Sequence, residues 1–244
     1  MLDPEIVVSP TPELLAHDAA ERVTRLASEA IATSGRFTIT LAGGSTPKAL
    51  YTLLAQEPFR SRIDWLNVHI YFGDERTVPP NHADSNYKMA HEALLSKVPI
   101  PADNVNRMRG EIDPHAAAKE YGELLKSHFG DDGFDVALLG MGDDGHTASL
   151  FPHTEALKEL NHRCVANVVE KLNTTRLTLT APFINRAKHV IVLIAGGSKS
   201  ERVSEVLEQA DDPDRLPIQL VDPRSNGGTL VWMLDAAAAG MSSE

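Results

Sequence analysis

Asp135–Leu139 reads DVALL, four consecutive apolar residues after an aspartate, and runs directly into Gly140. A strand with one face in water alternates apolar and polar side chains, so an unbroken apolar run marks a strand covered on both faces. Strands of that kind sit in parallel sheets, where crossover helices pack above and below. Phe37–Ala42 (FTITLA), Val68–Phe72 (VHIYF) and His189–Ile194 (HVIVLI) are further β-rich runs, with Cys164–Val168 and Arg176–Thr180 as additional strand candidates.

Helical segments separate these runs. Thr11 reads as an N-cap, Pro12 as the first helical residue, and Leu15, Ala19, Val23, Leu26 and Ala30 follow at helical spacing up to Ser34-Gly35. Pro47 opens a second helix to about Ala55, and helices are expected over Asn86–Leu95, Pro114–His128 and from Gly196 to about Ala210. The alternation predicts an α/β fold, a doubly wound and mostly parallel sheet with helices on both faces in a Rossmann-like three-layer arrangement. The first strand is expected near Phe37 with one helix ahead of it. Residues 1–244 are expected to form one domain, with a surface loop over Asp211–Pro217 and a short fraying helix over the final AAAAGMSSE.

Apolar residues at 42% and charged residues at 23% give enough core for such a domain. A net charge of −11 opposes non-specific attraction to nucleic acid or to an anionic membrane. No stretch approaches the ~20 apolar residues of a membrane helix, and the first residues lack a basic then apolar leader. These features, with Cys164 as the one cysteine, predict a cytoplasmic protein acting on a small molecule. The oligomeric state stays open, a monomer being compatible.

Ligands of open parallel sheets bind beyond the carboxyl ends of the strands. Four segments fall there. Gly43-Gly44-Ser45-Thr46 precedes a helix whose amides and dipole suit a phosphate, although taken by itself the motif is better explained as a tight turn with a hydroxyl cap. Gly196-Gly197-Ser198-Lys199 repeats the arrangement with an ammonium. Gly73-Asp74-Glu75-Arg76 offers carboxylates and a guanidinium suited to bidentate anion contact. Gly140–Pro152, GMGDDGHTASLFP, places His146 among glycines, a base of the right strength near neutral pH. No Walker A loop, HExxH or GxSxG motif occurs, which argues against P-loop nucleotide binding, a zinc protease or a serine hydrolase.

Taken together, LAGGSTPKALY, YFGDERTVPPNHADSNYKMAHEALL, DVALLGMGDDGHTASLFP, TLTAPFINRAKHVIVLIAGGSK and VWMLDAAAA resemble the 6-phosphogluconolactonase family, in order and over nearly the whole chain. The resemblance implies the fold shared with glucosamine-6-phosphate deaminase and ribose-5-phosphate isomerase. It also implies hydrolysis of 6-phosphogluconolactone in the pentose phosphate pathway without metal or cofactor. On that resemblance His146 is the general base, Asp144 orients the site, and Arg76 is an active-site arginine. Gly43, Gly44, Ser45, Thr46 and Lys199 match the phosphate site, with Asp74 and Arg176 as further substrate contacts. Pro223–Gly228 departs from the family pattern. The deaminases carry a glutamate five residues after this histidine; here that position is Phe151, which favours the lactonase reading. A non-catalytic sugar-phosphate sensor is the other alternative, weakened by the absence of room for a DNA-binding unit ahead of Phe37.

Overall fold

The computed structural model describes residues 4–241. Its centre is a six-stranded sheet in which every pairing is parallel, in the order β1-β9-β8-β5-β2-β3. In chain order these strands are β1 (Glu5–Ser9), β2 (Phe37–Leu41), β3 (Val68–Phe72), β5 (Val136–Leu139), β8 (His189–Ile194) and β9 (Thr229–Asp235). All residues of β2 and β5 are buried, so both faces of the sheet are covered, as the DVALL run requires.

The helices are α1 (Pro12–Ser34), α2 (Ser45–Leu54), α3 (Phe59–Arg62), α4 (Asn86–Ala90), α5 (Pro114–Phe129), α6 (Ala181–Ile184) and α7 (Ser200–Glu208). Thr11 caps α1 by accepting the Leu14 N–H, and Gly35 closes it in the left-handed region at φ 75°. Leu15, Ala19, Val23 and Leu26 form its buried stripe. Among the described residues no helix is long and apolar enough to cross a membrane.

The remaining strands form a second, antiparallel sheet: β4 (Asp74–Arg76), β7 (Thr174–Leu179) and β6 (Cys164–Val169), in the order β4-β7-β6. This corrects the expectation that the Cys164 and Arg176 runs extend the main sheet. Asp74-Glu75-Arg76 is a strand because its backbone pairs with β7, whatever its side chains prefer.

Other expectations are corrected too. β1 precedes α1 and pairs with β9, so Phe37 does not begin the first strand. The helix from Asn86 changes to a wider π turn over His91–Leu95. Residues 236–240 are turns, not a helix, and 242–244 lie outside the described residues. Pro223–Asn226 is a short 3-10 turn in which the Asp222 carboxylate accepts the Arg224 N–H, closed by Gly227 at φ 81°.

Candidate active site

The strand order places the site. From β2 the chain proceeds outward to β3, whereas β5 leads the other way through β8 and β9 to β1. The loops leaving β2 and β5 therefore diverge, and the crevice between them is the switch point where open sheets bind ligands. A cleft of about 490 Å³ lies there. Gly43, Gly44, Ser45, Thr46, Asp74, Arg76, Asp144, His146, Arg176 and Lys199 all line it, so the four segments expected to converge do so.

His146 is fixed on several sides. Its Nδ1 lies 2.5 Å from Asp144 Oδ1, and Phe151 stacks on the ring at 4.1 Å between centroids and 22° between planes. Gly142 approaches so closely that a Cβ there would lie 2.1 Å from ring atoms, and its N–H donates to the His146 carbonyl at 2.9 Å. With a carboxylate accepting at Nδ1, that nitrogen carries the proton and Nε2 is the basic one. Asp144 Oδ2 accepts from Lys171 Nζ at 3.0 Å. The hydrogen bond to His146, opposed by partial burial and reinforced by Lys171, holds the Asp144 carboxyl well below the usual carboxylate range.

Cationic and amide donors line the rest of the cleft. Among the described residues no side chain caps α2, so the amides of its first turn have no protein acceptor of the usual kind. Arg76 and Arg176 are direct register partners across β4 and β7. Neither makes an ion pair with a carboxylate among the described residues: Arg76 donates to the Asp84 carbonyl, and the buried Arg176 Nε has no partner. Burial, with the neighbouring Arg76 charge, pulls the Arg176 guanidinium pKa down. Two guanidiniums held side by side with donors unspent make a strong position for an anion. Lys199, by contrast, pairs with Asp143 Oδ1 at 2.5 Å. The Gly196 N–H beside it is also committed, donating to the buried Asp235 carboxylate at 3.0 Å.

A buried polar network fixes the cleft walls. Asp74 accepts from Asn86 Nδ2 at 2.9 Å and from Ser149 Oγ at 2.6 Å, which joins β4, α4 and the histidine loop. The Ser149 N–H donates to Thr178 Oγ1 on β7, and Asn167 Nδ2 on β6 donates to the Ser149 carbonyl. Glu75 accepts from Ser85 Oγ and from the N–H groups of Arg76, Asn86 and Tyr87. Burial pushes its pKa up against those donors. Gly43 admits this network: a Cβ there would lie 2.2 Å from Asn86 Oδ1. Asn86, Ser149, Lys171 and Asp143 went unselected in the sequence because their partners lie on distant segments.

Among the described residues no group of three or more His, Cys, Asp or Glu side chains is placed to hold a metal ion. The family model described as glucosamine-6-phosphate isomerases/6-phosphogluconolactonase matches residues 10–232. The chain is 41% identical over 241 residues to a 6-phosphogluconolactonase of Synechocystis sp., covering 96% of this chain and 97% of that one. A Nostoc sp. 6-phosphogluconolactonase is 43% identical over 215 residues, 86% of each chain. The solved 6-phosphogluconolactonase of Trypanosoma brucei superposes with a TM-score of 0.85 at 30% identity, covering 98% of this chain and 99% of that one. With its switch-point cleft and its match along nearly the whole length, the chain belongs to the glucosamine-6-phosphate isomerase/6-phosphogluconolactonase family.

Proposed function

We propose that this chain hydrolyses 6-phosphogluconolactone to 6-phosphogluconate, with His146 as the general base. Residues of both sheets then act as one catalytic unit. The substrate phosphate sits at the amino end of α2, on Gly44, Ser45 and Thr46, with Lys199 as its ammonium contact. Nε2 of His146 takes a proton from water as the water oxygen attacks the lactone carbonyl. Asp144, ionised and bonded to Nδ1, stabilises the imidazolium that forms. Arg76 and Arg176 hold negative charge on the substrate and on the tetrahedral oxyanion. Collapse of that intermediate breaks the bond to the ring oxygen, which takes the proton back from His146.

One observation carries this reading against deamination: His146 is stacked on Phe151 where the deaminases carry a glutamate. A phenyl ring has no proton to give, and opening an amino-sugar ring requires an acid. A lactone already exposes its carbonyl and needs none. The relatives named 6-phosphogluconolactonase over nearly the full chain support the same choice.

The test is a parallel assay of 6-phosphogluconolactone opening, corrected for the spontaneous reaction, and of ammonia release from glucosamine 6-phosphate. The expected result is acceleration of the first and no ammonia from the second. Ammonia release, or a lactone rate equal to the spontaneous one, overturns the proposal.

A further inference from the structure

Asp143 and Asp144 are adjacent carboxylates, yet the structure treats them differently. The Asp144 side chain is 23% exposed and held by His146 Nδ1, the His146 N–H and Lys171. The Asp143 side chain is 80% exposed and, among the described residues, pairs only with Lys199 Nζ, at 2.5 Å. Lys199 itself is only 22% exposed, faces the cleft and stands immediately ahead of α7, where the positive end of the helix dipole makes a lone cation unfavourable.

From this contrast we infer that Asp143 is an internal stand-in for the substrate's phosphate: its carboxylate neutralises Lys199 and is displaced when a phosphate dianion enters the cleft. The inference rests on Lys199 being a phosphate contact. The exchange requires little movement of the chain. The Asp143 carbonyl accepts from Arg202 Nε at 2.9 Å, so the backbone stays anchored while the carboxylate swings into water. With its carboxylate 80% exposed the pair is screened by water and weak, and a dianion with several acceptor oxygens replaces one carboxylate readily. A singly charged carboxylate ligand has no such advantage over Asp143. The displaced pair therefore acts as a charge filter at the phosphate end of the cleft, complementary to Arg76 and Arg176, which make no ion pair with a carboxylate among the described residues.

Binding of inorganic phosphate to the full chain, followed by ³¹P NMR titration, tests this without reference to turnover. Four proteins are compared: wild type, Asp143→Asn, Lys199→Ala and the double variant. Both side chains lie at the cleft surface, and circular dichroism checks that each variant folds. The inference predicts that Asp143→Asn binds phosphate about two- to fivefold more tightly, the range expected for loss of an exposed competing ion pair. It also predicts that Lys199→Ala binds more weakly and that Asp143→Asn has no effect in the Lys199→Ala background. If Lys199→Ala weakens binding but Asp143→Asn leaves it unchanged or weakens it too, Asp143 is a support for Lys199 and the inference is wrong. Unaltered binding in Lys199→Ala instead removes the assignment of Lys199 to the phosphate. Tightening by Asp143→Asn that persists without Lys199 shows a general charge effect and also overturns the inference.

Discussion

Strands β2 and β5 lie side by side, and their two ends carry polar clusters of opposite character. At the amino end the Asp135 carboxylate accepts from the Thr38 N–H, Thr38 Oγ1 and Lys188 Nζ, each at 2.8 Å, while the Asp135 N–H donates to Thr38 Oγ1. Both Asp135 carboxylate oxygens and the Thr38 hydroxyl are used there by the protein. At the carboxyl end, among the described residues, the Arg176 Nε is buried without a partner, Arg76 lacks a carboxylate, and no side chain caps the first turn of α2. A saturated cluster holds strands in register, whereas donors left unspent inside a cleft await a ligand.

Removing the two guanidiniums at the carboxyl end should have the largest effect. The double variant Arg76→Ala, Arg176→Ala should lose about 10²- to 10⁴-fold in kcat/KM, since hydrogen bonds to charged groups each contribute ~1.5–3 kcal/mol, with the melting temperature little changed. Asp135→Ala should do the reverse. Leaving the Thr38 groups unsatisfied costs about 1–3 kcal/mol of stability by denaturant unfolding, while kcat at saturation stays near wild type. Lys188 is 62% exposed and returns to water, so it adds little to that loss.

Smaller effects sharpen the carboxyl end itself. Lys199→Ala should raise KM about tenfold with kcat nearly unchanged, because a phosphate contact persists from bound substrate to transition state. The smallest effect is one of pH. Asp144 has a lowered folded pKa, so the stability it supplies is present above the ordinary carboxylate range and is lost as pH falls through the lowered value. The difference in unfolding free energy between wild type and Asp144→Asn should accordingly shrink as pH drops below about 4. A difference that grows on acidification contradicts the assigned role.

The sequence made one half of this comparison easy to read. Strand β8 and helix α1 carry their own signals, an apolar run in one case and caps at Thr11 and Gly35 in the other. The glycine-rich loops announce strand ends, and the sheet order brings them together. The antiparallel sheet was not legible, because Asp74-Glu75-Arg76 has the composition of a loop and becomes a strand only through β7. Strand β1 depends in the same way on β9, at the far end of the chain. The supporting residues were hidden for a related reason: Lys171 reaches Asp144, and Asn86 reaches Asp74, from segments well separated along the chain. Local pattern reports on local structure; long-range hydrogen bonds leave no spacing to detect.

Proton transfer by His146 is the step on which the account turns, and its most direct test is turnover of 6-phosphogluconolactone by His146→Ala beside wild type at saturating substrate near pH 7. A general base contributes typically ~10²- to 10⁴-fold, so kcat should fall by that amount with KM changed only a few-fold. Turnover near the wild-type value contradicts the assignment of His146 as the base.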